Sequence, residues 1–498
     1  MSAQTINEIR KQGERFLKAL YGELYSNLSG LKKDINTRSI YKSYPDLGEP
    51  ELYFSLKNIS PANKEEGNAD VTCSVPLLLN FLVRSFIGSK TARLVDKIMT
   101  TEGGESIEVE RTAIPFRSAR AEMKKEPKRA RREEIERKRR EVVLKLNPLF
   151  LELYDNAHTS AAELGFSSYE GLCDEIEELN LTQLEEKAKA FLNDTEYIYR
   201  DFLSWFLSKK MELKLKDAKS YDLDYLFNSF ELRANFPKTN FRAIAESILG
   251  EMDVETGEKI KSDIEPRRGK TTEPFCMPIE PPRSITFSIH PVGGVEDYES
   301  FFYGLGSALC YGYVEDGDDF EFKHLRESTT VEIYAYLFNN LIYQPKWLKK
   351  YLKADLHIDF IRFLYLRQLT KIRYYAGKLI YEMALHKDED FKTKSDLYKQ
   401  TLQNALFCEQ DEVYYLIDVK PYLYTASCLK GIVIEASFRN YLRENFDEQW
   451  WREKEAGNFI RKIWREGGRI GSREISKRLG VNPFDLSPLM ASFREVLG

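Results

Sequence analysis

Residues Tyr298 to Tyr313 read YESFFYGLGSALCYGY, and the fold turns on how this stretch is understood. Aromatic residues crowd its first half, and Gly304, Gly306, Ser307 and Ala308 crowd its centre. The run reads as a buried helix. Each glycine costs a helix about 1 kcal/mol relative to alanine, so two of them here need a reason. Small residues let a neighbouring element approach closely. Two outcomes stay open at this point: the small residues are packed shut as core, or they border an open channel.

Working outward, Ser284 to Ile289 alternates Ser, Ile, Thr, Phe, Ser and Ile, which is a strand signal. Glu251 to Pro282 is rich in Pro, Gly and charge and reads as loop. After the central stretch the chain returns to helix, with long amphipathic segments at Ile358 to Leu385 and Tyr424 to Asn445. Toward the N-terminus, Gln4 to Leu31 has apolar residues at helical spacing. Ile35 to Asp70 is polar and turn-rich, a loop or irregular insertion. Val71 to Ile98 reads as a buried helix pair, and Glu141 to Leu215 as long helices with short turns. Between them Arg117 to Arg140 reads RSARAEMKKEPKRARREEIERKRR. Opposite charges three or four apart support a solvated helix. A site for nucleic acid or another anionic partner is the alternative for that run. An N-terminal region over 1–140 and a helical region over 141–498 are expected.

The 498 residues carry a net charge of −5, too small and of the wrong sign for a general nucleic-acid binder. Six cysteines are scattered without a C-x-x-C pair, so neither a zinc knuckle nor a dithiol redox site is signalled. The first residues, MSAQTINEIRKQGERF, show no apolar signal region. The run Val75 to Ile87 is too short for the ~20 residues that span a bilayer. A reduced, cytoplasmic protein with neither nucleic-acid nor membrane partners is the expectation.

The stretch Tyr298 to Tyr313 resembles the zinc helix H-E-x-G-H-A-L of the thimet oligopeptidase and oligoendopeptidase F family. Other segments follow that family's order. AAELGFSSYEGLC (Ala161 to Cys173) resembles its helix hairpin, with Ser167 and Ser168 as caps. DIEPRRGKTTEPFC (Asp263 to Cys276) resembles its approach to the active site. STTVEIYAYLFNNLI (Ser328 to Ile342) is similar to the helix of the third zinc ligand. RQLTKIRYYAGKLIYEMALH (Arg367 to His386) and YTASCLKGIVIEASFRNYL (Tyr424 to Leu442) are similar to later helices. The likeness extends over Val142 to Gly498. It implies a mainly α, two-lobed body with a deep central channel and a small sheet. Glu299 to Gly312 and Thr330 to Leu341 should be adjacent helices, and Ser284 to His290 an edge strand lining the cleft.

The resemblance also implies what is missing. In the register set by Gly306, Ala308 and Leu309, Tyr303 and Ser307 stand where the two zinc-binding histidines belong, and Gly304 where the catalytic glutamate belongs. A catalytic zinc needs three protein ligands and an open position, and the glutamate takes a proton from the bound water. A phenol with its pKa near ~10 is a poor ligand at neutral pH, and glycine offers no base. Glu332, 25 residues after Ser307, holds the third ligand position. It is equally read as the end of a capping box with Thr329. The family's oxyanion tyrosines keep only Tyr424, with Cys428 and Gly431 at the other positions. An oxyanion donor is worth about 3 kcal/mol.

These residues imply a catalytically defective homologue that needs no cofactor and binds a peptide or protein segment. Phe287, Ser288, Ile289 and His290 would pair with the segment's backbone, because strand addition needs no particular side chains. The alternatives are an active metallopeptidase with an unusual zinc site, and a helical scaffold with a closed channel. His324, Glu327 and Glu332 are candidates for a rebuilt metal site. Cys310 or Cys428 with His290 or His324 is a candidate nucleophile pair. Restoring His at 303 and 307 and Glu at 304 is expected to create zinc affinity.

Overall fold

The helical spacing near the N-terminus produces α1 (Ala3–Leu28) in the structure, a computed structural model. It describes residues 3–63, 69–228, 230–238, 240–354, 357–387 and 390–498. The segment read as irregular from Ile35 contains two helices, Thr37–Ser43 and Pro50–Asn63, while residues 64–68 lie outside the described residues. Asn36 caps the first by accepting from the Ser39 N–H at 3.1 Å, and proline opens the second, where its missing N–H is harmless. Leu47, Tyr53 and Leu56 are buried there, which short helices among polar residues conceal from a periodicity reading.

The expected helix pair at Val71 to Ile98 is one helix, α2 (Ala69–Gly104), with Pro76 inside it. Proline removes one hydrogen bond of the ladder. Burial of Leu78, Phe81, Leu82, Val83, Phe86 and Ile87 along the same helix holds it continuous, since packing supplies most helical stability in proteins. A hairpin of β1 (Ser106–Val109) and β2 (Thr112–Pro115) follows.

The charge run is not one solvated helix. It breaks at Glu126 to Lys128 into α3 (Phe116–Lys125) and α4 (Arg129–Glu163). Arg132 is 1 % exposed and reaches the fully buried Asp222 at 2.8 Å. Arg129 joins the same carboxylate, Arg120 pairs with Asp224, and Arg140 with Asp411 and Glu412. These acidic partners lie far off in sequence, so i,i+4 spacing could not reveal them. Residue 140 falls inside α4, which runs on to Glu163.

Ser168 caps α5 (Tyr169–Glu177), accepting from the Gly171 N–H at 2.9 Å. Ser168→Ala should lower stability by about 1 kcal/mol. A shift of the urea midpoint at unchanged slope would register it, and an unmoved midpoint would show that the cap is idle.

Within the expected loop at Glu251 to Pro282 lie two strands, β3 (Ile260–Asp263) and β4 (Phe275–Glu280). With β5 (Ser284–Ser288) they form a sheet in the order β3-β5-β4, parallel on one side of β5 and antiparallel on the other. The expected strand exists but is central, not at the edge. Then come α6 (Val295–Gly312), α7 (Phe320–His324), α8 (Ser328–Asn339), α9 (Ile358–Lys387) and α10 (Tyr424–Asn445). As expected, α6 lies against α8; α10 also packs on α8.

Apolar side chains gather into two cores, giving the body two lobes. The larger runs from Ile9 on α1 to Leu497 and includes the central helices. The smaller joins the hairpin, α3 and most of α4 to Tyr381 and Leu385 of α9 and to the 391–419 segment. No described helix is long and apolar enough to cross a membrane.

Candidate functional site

Three helices meet at unusually short range because two glycines permit it. A Cβ on Gly306 would lie 2.9 Å from the Tyr334 carbonyl carbon and 3.0 Å from the Ala335 Cα, and closer still to the Tyr334 oxygen. A Cβ on Gly431 would lie 2.5 Å from the Cβ of Glu332. So α6 presses on α8 from one side and α10 from the other, with Glu332 at the junction.

Glu332 is fully buried. Its Oε1 accepts from the Tyr303 hydroxyl at 2.6 Å and from the Tyr424 hydroxyl. Its Oε2 has no hydrogen-bond partner. Burial raises the Glu332 pKa against the pull of the two phenols, and raises those of Tyr303 and Tyr424 well above the ordinary phenol value. The carboxyl is therefore gripped by neutral donors. The capping reading of Thr329 and Glu332 does not hold, because the cap of α8 is Glu327, two residues before Thr329. The Glu332 side chain points instead to Tyr303 and Tyr424.

The other sequence-identified positions surround this clasp. Ser307 donates back to the Tyr303 carbonyl at 3.0 Å. Gly304 faces Phe287, whose Cδ2 would lie 2.6 Å from an added Cβ. Cys428 is buried on α10, and burial pushes its thiol pKa up. The Tyr303 ring meets Tyr336 edge-on at 5.5 Å.

A zinc ion does not fit these residues. The one carboxylate oxygen that is engaged already accepts two phenols, Ser307 points its hydroxyl at its own helix, and Gly304 has no side chain. Among the described residues no group of three His, Cys, Asp or Glu side chains is arranged to hold a metal. The rebuilt-site candidates diverge: His324 reaches Glu14 at 3.7 Å, Glu327 accepts from Ser472 at 2.5 Å, and Glu332 faces the two tyrosines. The nucleophile candidates also separate. Cys310 donates to the Ser307 carbonyl at 3.1 Å, and burial pushes its thiol up to about 11. Neither Cys310 nor Cys428 is hydrogen-bonded to a histidine, and burial pushes His290 and His324 down.

The strand residues are committed internally. Phe287 is covered by Gly304, the Ser288 hydroxyl approaches Asp263 at 3.2 Å, and the Ile289 N–H bonds to the Asp263 carbonyl at 3.0 Å. His290 lies beyond the strand end. Because β3 and β4 take both edges of β5, backbone addition to Phe287 and Ser288 is blocked. The strands with an unpaired side in this sheet are β3 and β4, and of the two it is β4 that borders the cavity described next.

Beside the clasp lies a cavity of about 1060 Å³, bordered by Tyr303, Ser307, Tyr424 and Cys428, and by Pro274, Phe275 and Cys276 at the start of β4. The two outcomes left open by the sequence are thus both met in part. The Tyr303 hydroxyl fills the position beside Glu332, and the channel next to it is open. Lys371, Tyr374 and Tyr375 on α9 also border the cavity, and sequence reasoning passed over them. Their i,i+3 and i,i+4 spacing puts them on one helical face, the only available signal.

No family model matches this sequence, and no curated protein is similar to it. Solved structures are similar in fold. "PZ peptidase A with inhibitor 2" superposes at a TM-score of 0.63 with 13 % identity, over 96 % of this chain and 85 % of that one. A structure described as "putative oligoendopeptidase F" gives 0.65 with 12 % identity, over 95 % and 85 %. Another so described, from Bacillus anthracis str. Ames, gives 0.62 with 12 % identity, over 95 % and 84 %. The central stretch, its neighbouring helices and the small sheet thus sit in an oligoendopeptidase fold, and that is the fold of this chain.

Proposed function

We propose that this protein binds an extended peptide or protein segment in its central cavity and does not hydrolyse it. The observation that carries this reading is the clasp of Tyr303 and Tyr424 on Glu332 at the wall of an open cavity. The clasp engages one oxygen of the carboxylate, neither Tyr303 nor Ser307 is placed as a further metal ligand, and Gly304 offers no general base. The start of β4 supports binding, since an edge strand on a cavity can take an extended chain through main-chain hydrogen bonds alone. An active metallopeptidase has less support, because its candidate ligands point to separate partners. A closed scaffold has less support, because the cavity is large enough for several residues of peptide.

Purified protein should carry far less than one zinc per chain and should leave peptide libraries uncut. It should retain members of a mixed decapeptide pool in equilibrium dialysis, and Val331→Trp, which narrows the cavity, should reduce that retention at least about fivefold, or ~1 kcal/mol. Cleavage abolished by a chelator and restored by zinc would refute the proposal. So would retention unchanged by Val331→Trp.

A further inference from the structure

The cavity wall carries eight lysine and arginine side chains and five carboxylates. Each carboxylate already has a basic partner on the wall. Asp224 holds Arg120, Glu273 holds Lys420, Glu296 holds Lys124, Glu299 holds Arg367 and Asp418 holds Lys378, at 2.5 to 3.5 Å. Three basic side chains remain. Arg84 pairs with Glu177 outside the wall, and Arg326 donates to the Gly467, Cys310 and Trp464 carbonyls. Among the described residues Lys371 has neither a carboxylate nor a carbonyl in contact.

The Lys371 ammonium instead lies over the ring of Tyr336, 5.2 Å from its centre. The same ring meets Tyr303 edge-on, so Lys371 stands one aromatic ring from the clasp. The nearby acids act on it only through space: Glu299 is hydrogen-bonded to Arg367 and Tyr343 and Glu332 to the two phenols, and both feel the Lys371 charge without contacting it. An ammonium in a partly buried wall of tyrosines is poorly hydrated, and a cation over a ring gains only about 0.5–2 kcal/mol. An anion in the cavity would gain a charge-assisted hydrogen bond at that point.

We propose that Lys371 anchors the carboxylate of a peptide bound in the cavity. This rests on the peptide-binding reading above and names the class of peptide. One lysine supplies one positive charge, which balances the single charge of a carboxylate. The carboxylate is either a free C-terminus or an Asp or Glu side chain. Both offer the same oxygens to the ammonium.

Three pools of acetylated heptapeptides separate these cases. The first excludes Asp and Glu and ends in a free carboxylate. The second is the same pool with a C-terminal amide. The third is amidated and carries one Asp at varied positions. Equilibrium dialysis against the full chain should retain the first or third pool at least about tenfold more tightly than the second, the size of one charge-assisted hydrogen bond. Which of the two is retained identifies the source. Lys371→Met should abolish that preference without weakening the neutral pool, and Lys371→Arg should keep much of it. Thermal melts of each variant establish that it is folded, and the wild-type preference is read without any substitution. Equal retention of all three pools by the wild type would overturn the role of Lys371 and leave peptide binding standing. The same holds for a preference that survives Lys371→Met. Retention of no pool at all would overturn both proposals.

Discussion

Restoring the three missing side chains alone will not restore zinc. In Tyr303→His, Gly304→Glu, Ser307→His the two imidazoles stand at i and i+4 on one face of α6, the spacing that suits a metal. Losing the Tyr303 hydroxyl also frees part of Glu332. The obstacle is Gly304. Its Cβ would enter the Phe287 ring at 2.6 Å, and the Phe287 Cβ follows at 3.3 Å. Phe287 is 2 % exposed in the middle of the central strand, so it has little room to turn away. Overpacking of this kind costs about 1–3 kcal/mol and displaces backbone, here along the helix that must present both histidines. The sequence-based expectation that three changes suffice is therefore revised to four. The triple variant should bind zinc no better than about 1 mM. With Phe287→Ala added, affinity should pass about 1 µM, a gain of ~4 kcal/mol. Competition against a chromogenic chelator measures both. Tight zinc binding by the triple variant would show that Phe287 yields. A folded fourfold variant that binds no zinc, whether or not Glu332→Ala is added, would show that the helix register is wrong.

Gly306→Ala should be among the most damaging single-methyl changes in the chain. The atoms met by the new methyl are main-chain atoms of Tyr334 and Ala335 on α8, and main chain cannot rotate aside as a side chain can. The helices α6 and α8 would have to part, which exposes Glu332 to water and loosens both phenols. A loss of about 3 kcal/mol or more is expected, or failure to fold. Gly22→Ala on α1 is the matched comparison, since nothing lies within 4 Å of its added methyl. It should gain up to about 1 kcal/mol from helix propensity. Denaturant melts of the two proteins should therefore move in opposite directions. If both move together, the close approach of α6 and α8 is not what holds this junction.

Helical spacing made α1, α9 and α10 legible to within a few residues, and alternation made β5 legible. The position of β5 within its sheet was not, because pairing is set by β3 and β4, whose Pro, Gly and charge disguise them as loop. The clasp was legible only in its members. Tyr303, Glu332 and Tyr424 each stood out by position, but Thr329-x-x-Glu332 has the same letters whether the carboxylate caps a helix or accepts phenols. Lys371 gave no signal beyond its helical face, because a charge without an ion pair is recognised only after the partners of its neighbours are known. The same reason hid the inward turn of Arg132 and the reach of Arg129 to the same Asp222.

Two long helices run through both cores. In α4, Ile135, Val142, Leu146 and Phe150 belong to the smaller core, and Ala157 and Ala161 to the larger. In α9, Phe363 to Ala376 belong to the larger core, and Tyr381 and Leu385 to the smaller. A rod shared in this way cannot melt in one lobe while keeping its packing in the other. The two lobes are thereby joined through two shared rods, of which α4 carries Pro148 inside its length and α9 carries no proline. Under the proposed function, a peptide entering the cavity would be recognised by fit and charge rather than by closure of the two lobes.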